Sequence, residues 1–298
     1  MECEPSIIVH GGAGRWSLIS SDRLEKARRV LFESAQYGFN RLSMGSSAVE
    51  AVVEAISYLE DSGEFNAGRG SVFNADGYIE MDAGVMDGKK FDAGAVAALR
   101  GIANPIRVAL LVMKKTPHVI LSGEGARKFA LENGFKEESD LLKRAIISNV
   151  SMERAKWRSD TVGAVAIDSN CGTAAGASTG GISGKLPGRI GDTPIPGAGF
   201  FANHFAAAAS TGIGELITLL GISRAVVEEA TLLGSINISG RTLLQYVNSR
   251  FKSETFGLIG LDILGNYLAI YNTESMPFAL FKKSMKEPII GGFPRSSI

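Results

Sequence analysis

The chain has 298 residues, is 45% hydrophobic, and balances 31 Lys+Arg against 31 Asp+Glu. That length buries a substantial core in one large domain or two small ones, while a net charge near zero leaves no overall attraction for nucleic acid or an anionic membrane. No apolar run reaches the roughly 20 residues needed to span a bilayer, and the acidic start Met1-Glu2-Cys3-Glu4-Pro5 is not the basic opening of a secretion signal, so a cytoplasmic protein acting on a compact, neutral partner is expected.

Cys3 and Cys171 are the only cysteines, too few for a disulfide framework and not spaced as a CxxC site, and they read as buried or incidental thiols. The 36 glycines outnumber 9 prolines and cluster in apolar, small-residue segments. Such glycines mark bulges, tight corners or close approach of backbone to a ligand, which suits a cleft lined by main chain.

In chain order, a short buried strand over Ser6 to His10 runs into the turn Gly11-Gly12-Ala13-Gly14. Two helices follow, the first with Asp22 and Glu25 at capping-box spacing and the second with Ser47 and Glu50. The second carries an apolar face at Val49, Val52, Val53, Ile56 and Leu59. Short strands at Tyr78 to Asp82 and Ala93 to Leu99 precede a helix over Pro105 to Met113. From about Glu132 to Asp160 the charged, weakly periodic sequence reads as a flexible tether or surface helix. Beyond it, Val162 to Asp168 and Thr173 to Thr179 form a hairpin, and Phe256 to Asp262 with Tyr267 to Tyr271 form a second. Helical faces cover Glu215 to Thr231 and Leu243 to Phe251. Sheets alternating with helix pairs fit an α+β sandwich, helices outside two stacked sheets.

Two motifs fail on context. Gly176-Ala177-Ser178-Thr179-Gly180 matches G-x-S-x-G, but glycines and not a helix follow it, so no nucleophile elbow is expected. Gly184-Lys185 lacks the rest of a phosphate loop. His10, His118 and His204 are far apart without ligand-like neighbours, which argues against a transition-metal site. His10 reads as a brace for the glycine turn. With so few histidines, hydrolytic chemistry would have to rest on hydroxyls, carboxylates, arginine and backbone amides. A threonine freed at a new chain terminus meets that need, because its own α-amine, with a pKa of about 7.7 to 8.0, takes the hydroxyl proton. Asp160-Thr161, a charged stretch before and a rigid strand after, suits such a cleavage, although by itself Thr161 is equally an ordinary residue at a strand start.

The segments Thr161-Val162-Gly163-Ala164-Val165-Ala166, Ser178-Thr179-Gly180-Gly181, Gly188-Arg189-Ile190-Gly191-Asp192 and Ala198-Gly199 resemble the plant-type L-asparaginase/isoaspartyl peptidase family of N-terminal nucleophile hydrolases. Thr211-Gly212-Ile213-Gly214-Glu215, His10 to Gly14, Asn66-Ala67-Gly68-Arg69-Gly70 and Glu80-Met81-Asp82-Ala83 extend the similarity in order and spacing over nearly the whole chain. The resemblance implies one domain over 1–298, a four-layer αββα sandwich, cut by itself between Asp160 and Thr161 into chains 1–160 and 161–298. It implies hydrolysis of L-asparagine and β-aspartyl dipeptides, with Thr161 as nucleophile and Thr179 holding its amine and hydroxyl. Thr211 and the Gly212 N–H would form the oxyanion hole, and Asn66 would support the nucleophile. Arg189 would grip the substrate α-carboxylate and Asp192 its α-ammonium, with backbone contacts from Gly212 and Gly214. No catalytic cofactor is implied. A structural sodium ion held by carbonyl oxygens of the Tyr58 to Gly70 loop, and a homodimer of αβ units, are implied.

One residue departs from the family pattern. Asp160 stands before the nucleophile where the family's asparaginases carry glycine, as in glycosylasparaginases and taspase-like endopeptidases. A taspase-like threonine endopeptidase is therefore the alternative enzyme, and an uncut, non-enzymatic binding protein the alternative from another class. The Arg189 and Asp192 pair, suited to a free amino-acid end, favours the asparaginase reading.

Overall fold

The computed structural model describes residues 2–144, 161–251 and 254–294. Twelve strands among these residues form two sheets. In chain order they are β1 (Ser6–His10), β2 (Met81–Asp87), β3 (Asp92–Leu99), β4 (Ile120–Ser122), β5 (Val162–Ile167), β6 (Thr173–Thr179), β7 (Phe200–Ala202), β8 (Ala206–Gly212), β9 (Phe256–Asp262), β10 (Tyr267–Tyr271), β11 (Phe278–Lys282) and β12 (Ile289–Gly291). The larger sheet runs β12-β11-β1-β5-β6-β2-β3-β4 and the smaller β10-β9-β8-β7. All neighbours are antiparallel except β3 and β4.

The period of two along each strand divides the core. Ile7 and Val9 of β1, with Val162, Ala164 and Ala166 of β5, face a helical layer, whereas Ile8, Val165 and Ile167 face the smaller sheet. The first helical layer holds α1 (Ser21–Ser43), α2 (Ala48–Ser62) and α3 (Pro105–Lys115), against β1, β5, β6 and β3. On the far side of the smaller sheet lie α7 (Ile222–Leu233) and α8 (Ile236–Arg250), preceded by α6 (Gly214–Leu220). Helix, sheet, sheet, helix is the four-layer αββα arrangement expected. Among the described residues no helix is long and apolar enough to cross a membrane.

Local sequence explains most boundaries. Ser47 caps α2 by accepting from the Glu50 amide while the Glu50 carboxylate accepts from the Ser47 amide, the capping box as expected. The Asp22/Glu25 box does not form. Helix α1 begins at Ser21, so Asp22 lies inside the first turn, where its charge favours the helix dipole. The strand expected at Tyr78 begins instead at Met81 and runs to Asp87, because Asn74 folds the preceding segment into a turn by accepting from the amides of Asp76 and Tyr78. The helical face from Glu215 to Thr231 is two helices, broken at Gly221, whose φ of 58° is left-handed.

Two readings require correction. The tether reading does not hold from 132 to 144: α4 (Gly123–Glu132) ends there, but the following residues are docked through α5 (Ser139–Leu142). Leu141 is buried with Ile79, Met81 and Ala103, and the Glu138 amide donates to the Gly101 carbonyl at 2.9 Å. Residues 145–160, including Asp160, lie outside the described residues. The two cysteines are not incidental thiols. They form a Cys3–Cys171 disulfide, with Cα atoms 5.1 Å apart at a sequence separation of 168. The cause is the β1–β5 ladder, which brings the residues just before β1 alongside the β5–β6 turn.

Candidate active site

Thr161 precedes the first residue of β5, and the pairing of Val162 with Ser178 sets it beside Thr179 at the end of β6. The Thr161 hydroxyl donates to Thr179 Oγ1 at 3.2 Å, and both residues are buried. Thr179 Oγ1 also accepts from the Gly181 amide at 3.0 Å. Asn66 fastens the same turn from the loop after α2: its Nδ2 donates to the Gly181 carbonyl at 2.6 Å, its carbonyl accepts from the Gly180 amide, and its Oδ1 accepts from the Val72 amide. Gly180 is required here, because a Cβ would stand 2.5 Å from Asn66 Oδ1. The head of β5, the end of β6 with its turn, and the loop after α2 thus meet around one hydroxyl pair.

His10, at the end of β1, is buried, and that burial pushes its imidazole down to about 3, so it is neutral. Its Nδ1 accepts from the Gly12 amide, bracing the glycine turn as expected, while Nε2 lies toward the Thr161 backbone and over Gly163. The braced turn presents the Ala13 amide to Thr211 Oγ1 at 3.3 Å. Thr211 is fully buried near the end of β8, and α6 begins three residues later. Gly212 has a φ of 140° and passes so close to β9 that a Cβ would lie 2.3 Å from the Thr255 carbonyl oxygen. Only glycine takes that path.

A second cluster holds opposite charges. Arg189 donates from Nε and Nη2 to Glu215 Oε1 at 3.0 and 2.8 Å. Asp192 is buried, its Oδ2 accepts no hydrogen bond among the described residues, and desolvation pushes its carboxyl up to about 7. Gly214 fits between them, since a Cβ there would stand 2.8 Å from Asp192 Oδ1 and 2.9 Å from Arg189 Nη2. A buried carboxyl group, its Oδ2 without a donor among the described residues, and a guanidinium thus stand against the same glycine.

Several buried polar residues beneath these clusters escape sequence reasoning. Lys185 packs under Gly181, donates to the Glu80 carbonyl at 3.0 Å and lies 3.7 Å from Asp82 Oδ2; burial lowers the lysine and raises the aspartate. Ser178, the serine of the rejected G-x-S-x-G match, lies within β6 and donates to the buried Glu60 at 2.6 Å. Their signals were isolated charges within apolar strands and helices, which in sequence could equally face solvent.

The asparaginase family profile matches residues 3–290. A plant-type L-asparaginase of Pyrobaculum calidifontis is 42% identical over 285 residues, 91% of this chain and 95% of its own length. One of Pyrococcus furiosus is 40% identical over 307 aligned positions, 96% of this chain and 99% of its own. An isoaspartyl peptidase/L-asparaginase of Rattus norvegicus is 41% identical over 288, covering 93% and 86%. With a match running from the strand that braces Thr161's neighbours to the last strand of the larger sheet, the chain belongs to the asparaginase family, in the group of plant-type L-asparaginases and isoaspartyl peptidases.

Proposed function

We propose that the chain cuts itself between Asp160 and Thr161 and that the freed threonine hydrolyses L-asparagine and β-aspartyl dipeptides. The observation that carries this is the buried Thr161–Thr179 hydroxyl pair at the head of β5, held by the Gly181 amide in a turn that Asn66 fastens. The names of the relatives support the substrates. In the reaction, Thr161 Oγ1 attacks the side-chain amide carbon and its proton passes to the threonine's own α-amine. Thr211 Oγ1 already accepts from Ala13, so its own hydrogen is available, with the Gly212 N–H, for the developing oxyanion. The amine leaves with that proton, and water then cleaves the aspartyl ester. Arg189 matches the α-carboxylate as a planar fork, and Asp192 receives the α-ammonium.

Carbonyl oxygens of Glu60, Gly63 and Phe65 crowd the backbone at Gly68 and Gly70, within 2.8 Å of where Cβ atoms would stand. That oxygen-rich cradle fits a sodium ion, which would stiffen the loop bearing Asn66 and take no part in the chemistry. The disulfide bears on location: such bonds persist in oxidising compartments and in intracellular proteins of hyperthermophiles, and are rare in other cytosols, which weighs against the cytoplasmic placement outside such hosts. Exposed Leu219 and Leu232 on the second helical layer are consistent with a homodimer of αβ units.

The test is Thr161→Ala. A folded chain that stays uncut and inactive on asparagine and β-aspartyl-leucine is expected; cleavage at the same bond, or undiminished amidase activity, would overturn the reading.

A further inference from the structure

Cys3 and Cys171 stand on opposite sides of the proposed cut. Cys3 lies in the segment leading into β1, and its amide donates to the Ser169 carbonyl at 3.3 Å. Cys171 occupies the turn between β5 and β6, where the Asp168 carboxylate organises the loop by accepting from the amides of Asn170 and Gly172. Around this bond the two halves interleave. Strand β1 of the first half lies between β11 and β5 of the second, with ladders of five residue pairs on each side, and β2 pairs with β6.

We propose that the Cys3–Cys171 disulfide is the covalent link between the two chains of the processed protein. This rests on cleavage before Thr161. In the uncut precursor the bond only closes a large loop. After the cut that loop is open, and the same bond becomes the one thing that keeps 1–160 and 161–298 a single molecule once their ladders melt. The consequence appears on unfolding. Linked chains stay at the high effective concentration of a tethered pair, so β1 returns to its slot without a bimolecular encounter. Chains without the link part and must find each other by diffusion.

The experiment uses the full-length wild-type protein after processing, denatured in iodoacetamide so that any free thiol is capped before it can exchange. It is run on a denaturing gel with and without dithiothreitol and weighed intact. Dithiothreitol delivers two electrons, breaks the S–S bond into two thiols and closes into its own cyclic disulfide. The expected result without reductant is one band, heavier than the oxidised uncut chain by one water, which resolves with reductant into fragments ending at Asp160 and beginning at Thr161. Two fragments already present without reductant would overturn the link while leaving the cleavage reading intact. One band in both lanes, lacking the added water, would overturn the cleavage reading and the link with it. Because these are the chain's only two cysteines, Cys3→Ser should give two fragments in both lanes. Fragments of that variant that stay joined would also sink the proposal.

Discussion

At the scale of single residues, Asp192 ties the site to pH. Burial, with no donor to Oδ2 among the described residues, pushes its carboxyl up to about 7, so below that pH it is neutral and offers a ligand ammonium little. The α-amine of L-aspartate, the expected product, stays protonated across this range. The inhibition constant for L-aspartate should therefore fall about tenfold per unit as pH rises toward 7 and level off above it; a flat profile would remove Asp192 from the clamp. Asparagine and β-aspartyl-leucine should both be hydrolysed. N-acetylation of β-aspartyl-leucine removes the cation and should lower kcat/KM roughly thirty-fold or more, the usual cost of stranding one partner of a desolvated pair, about 2 to 5 kcal/mol. Preference for an internal aspartyl peptide would instead support the endopeptidase that Asp160 raises. Thr211→Val keeps the shape and deletes one donor, and kcat should drop about a hundred- to a thousand-fold. An unchanged turnover would exclude Thr211 from the oxyanion hole.

At the scale of elements, helix α2 carries an acidic side chain into the core. Glu60 is fully buried, accepts from Ser178 and from the Ile106 amide, and burial pushes its carboxyl up to about 8 from an ordinary 4.5. Between those values the unfolded chain has released a proton that the folded chain retains, so stability falls as pH rises from about 4.5 to 8. Glu60→Gln should flatten that decline in a series of thermal melts, and an equally steep decline would show that another group causes it. Glu60 also marks the limit of sequence reading: the α2 stripe Val49, Val52, Val53, Ile56 and Leu59 is plain, but whether Glu60 faces water or the core depends on α3 and β6 packing over it. The hairpins β5–β6 and β9–β10 were legible because their apolar runs meet at polar turns. Strands β4, β7 and β12 have three residues each, too short for a period to register, and form because longer neighbours offer open edges. The charges of Arg189 and Asp192 could be read, whereas Glu215 as the arginine's partner could not, since that contact depends on how α6 leaves β8. The disulfide was equally invisible, because a sequence separation of 168 says nothing about which Cβ atoms meet.

At the scale of the whole molecule, two of the strand glycines, Gly163 and Gly84, let the two sheets come together. The inner face of the smaller sheet includes Phe200 of β7, and its partner in the ladder, Ala209 of β8, packs over Gly163 of β5, where a Cβ would stand 3.2 Å from the Ala209 Cβ. Gly84 of β2 lies under the Phe200 ring, and a Cβ there would fall 2.2 Å from Cε1. The sheet separation so fixed also fixes how far β8, with Thr211 and Gly212, stands from β5, with Thr161 at its head. Gly84 lies outside the left-handed region, so alanine is accessible to its backbone, and the cost of Gly84→Ala is one of volume. Phe200 is fully buried and cannot swing into solvent, so the added methyl must push the ring or part the sheets, at about 1–3 kcal/mol for overpacking of this kind. The variant should melt at a lower temperature and turn over more slowly, although no group of the site has been altered. Shrinking the ring in Gly84→Ala/Phe200→Leu returns volume where it was added and should recover both properties in part, which a purely local backbone effect at Gly84 would not. If the double variant is as unstable as the sum of the two single changes, the sites are uncoupled and the sheets are not spaced by this contact.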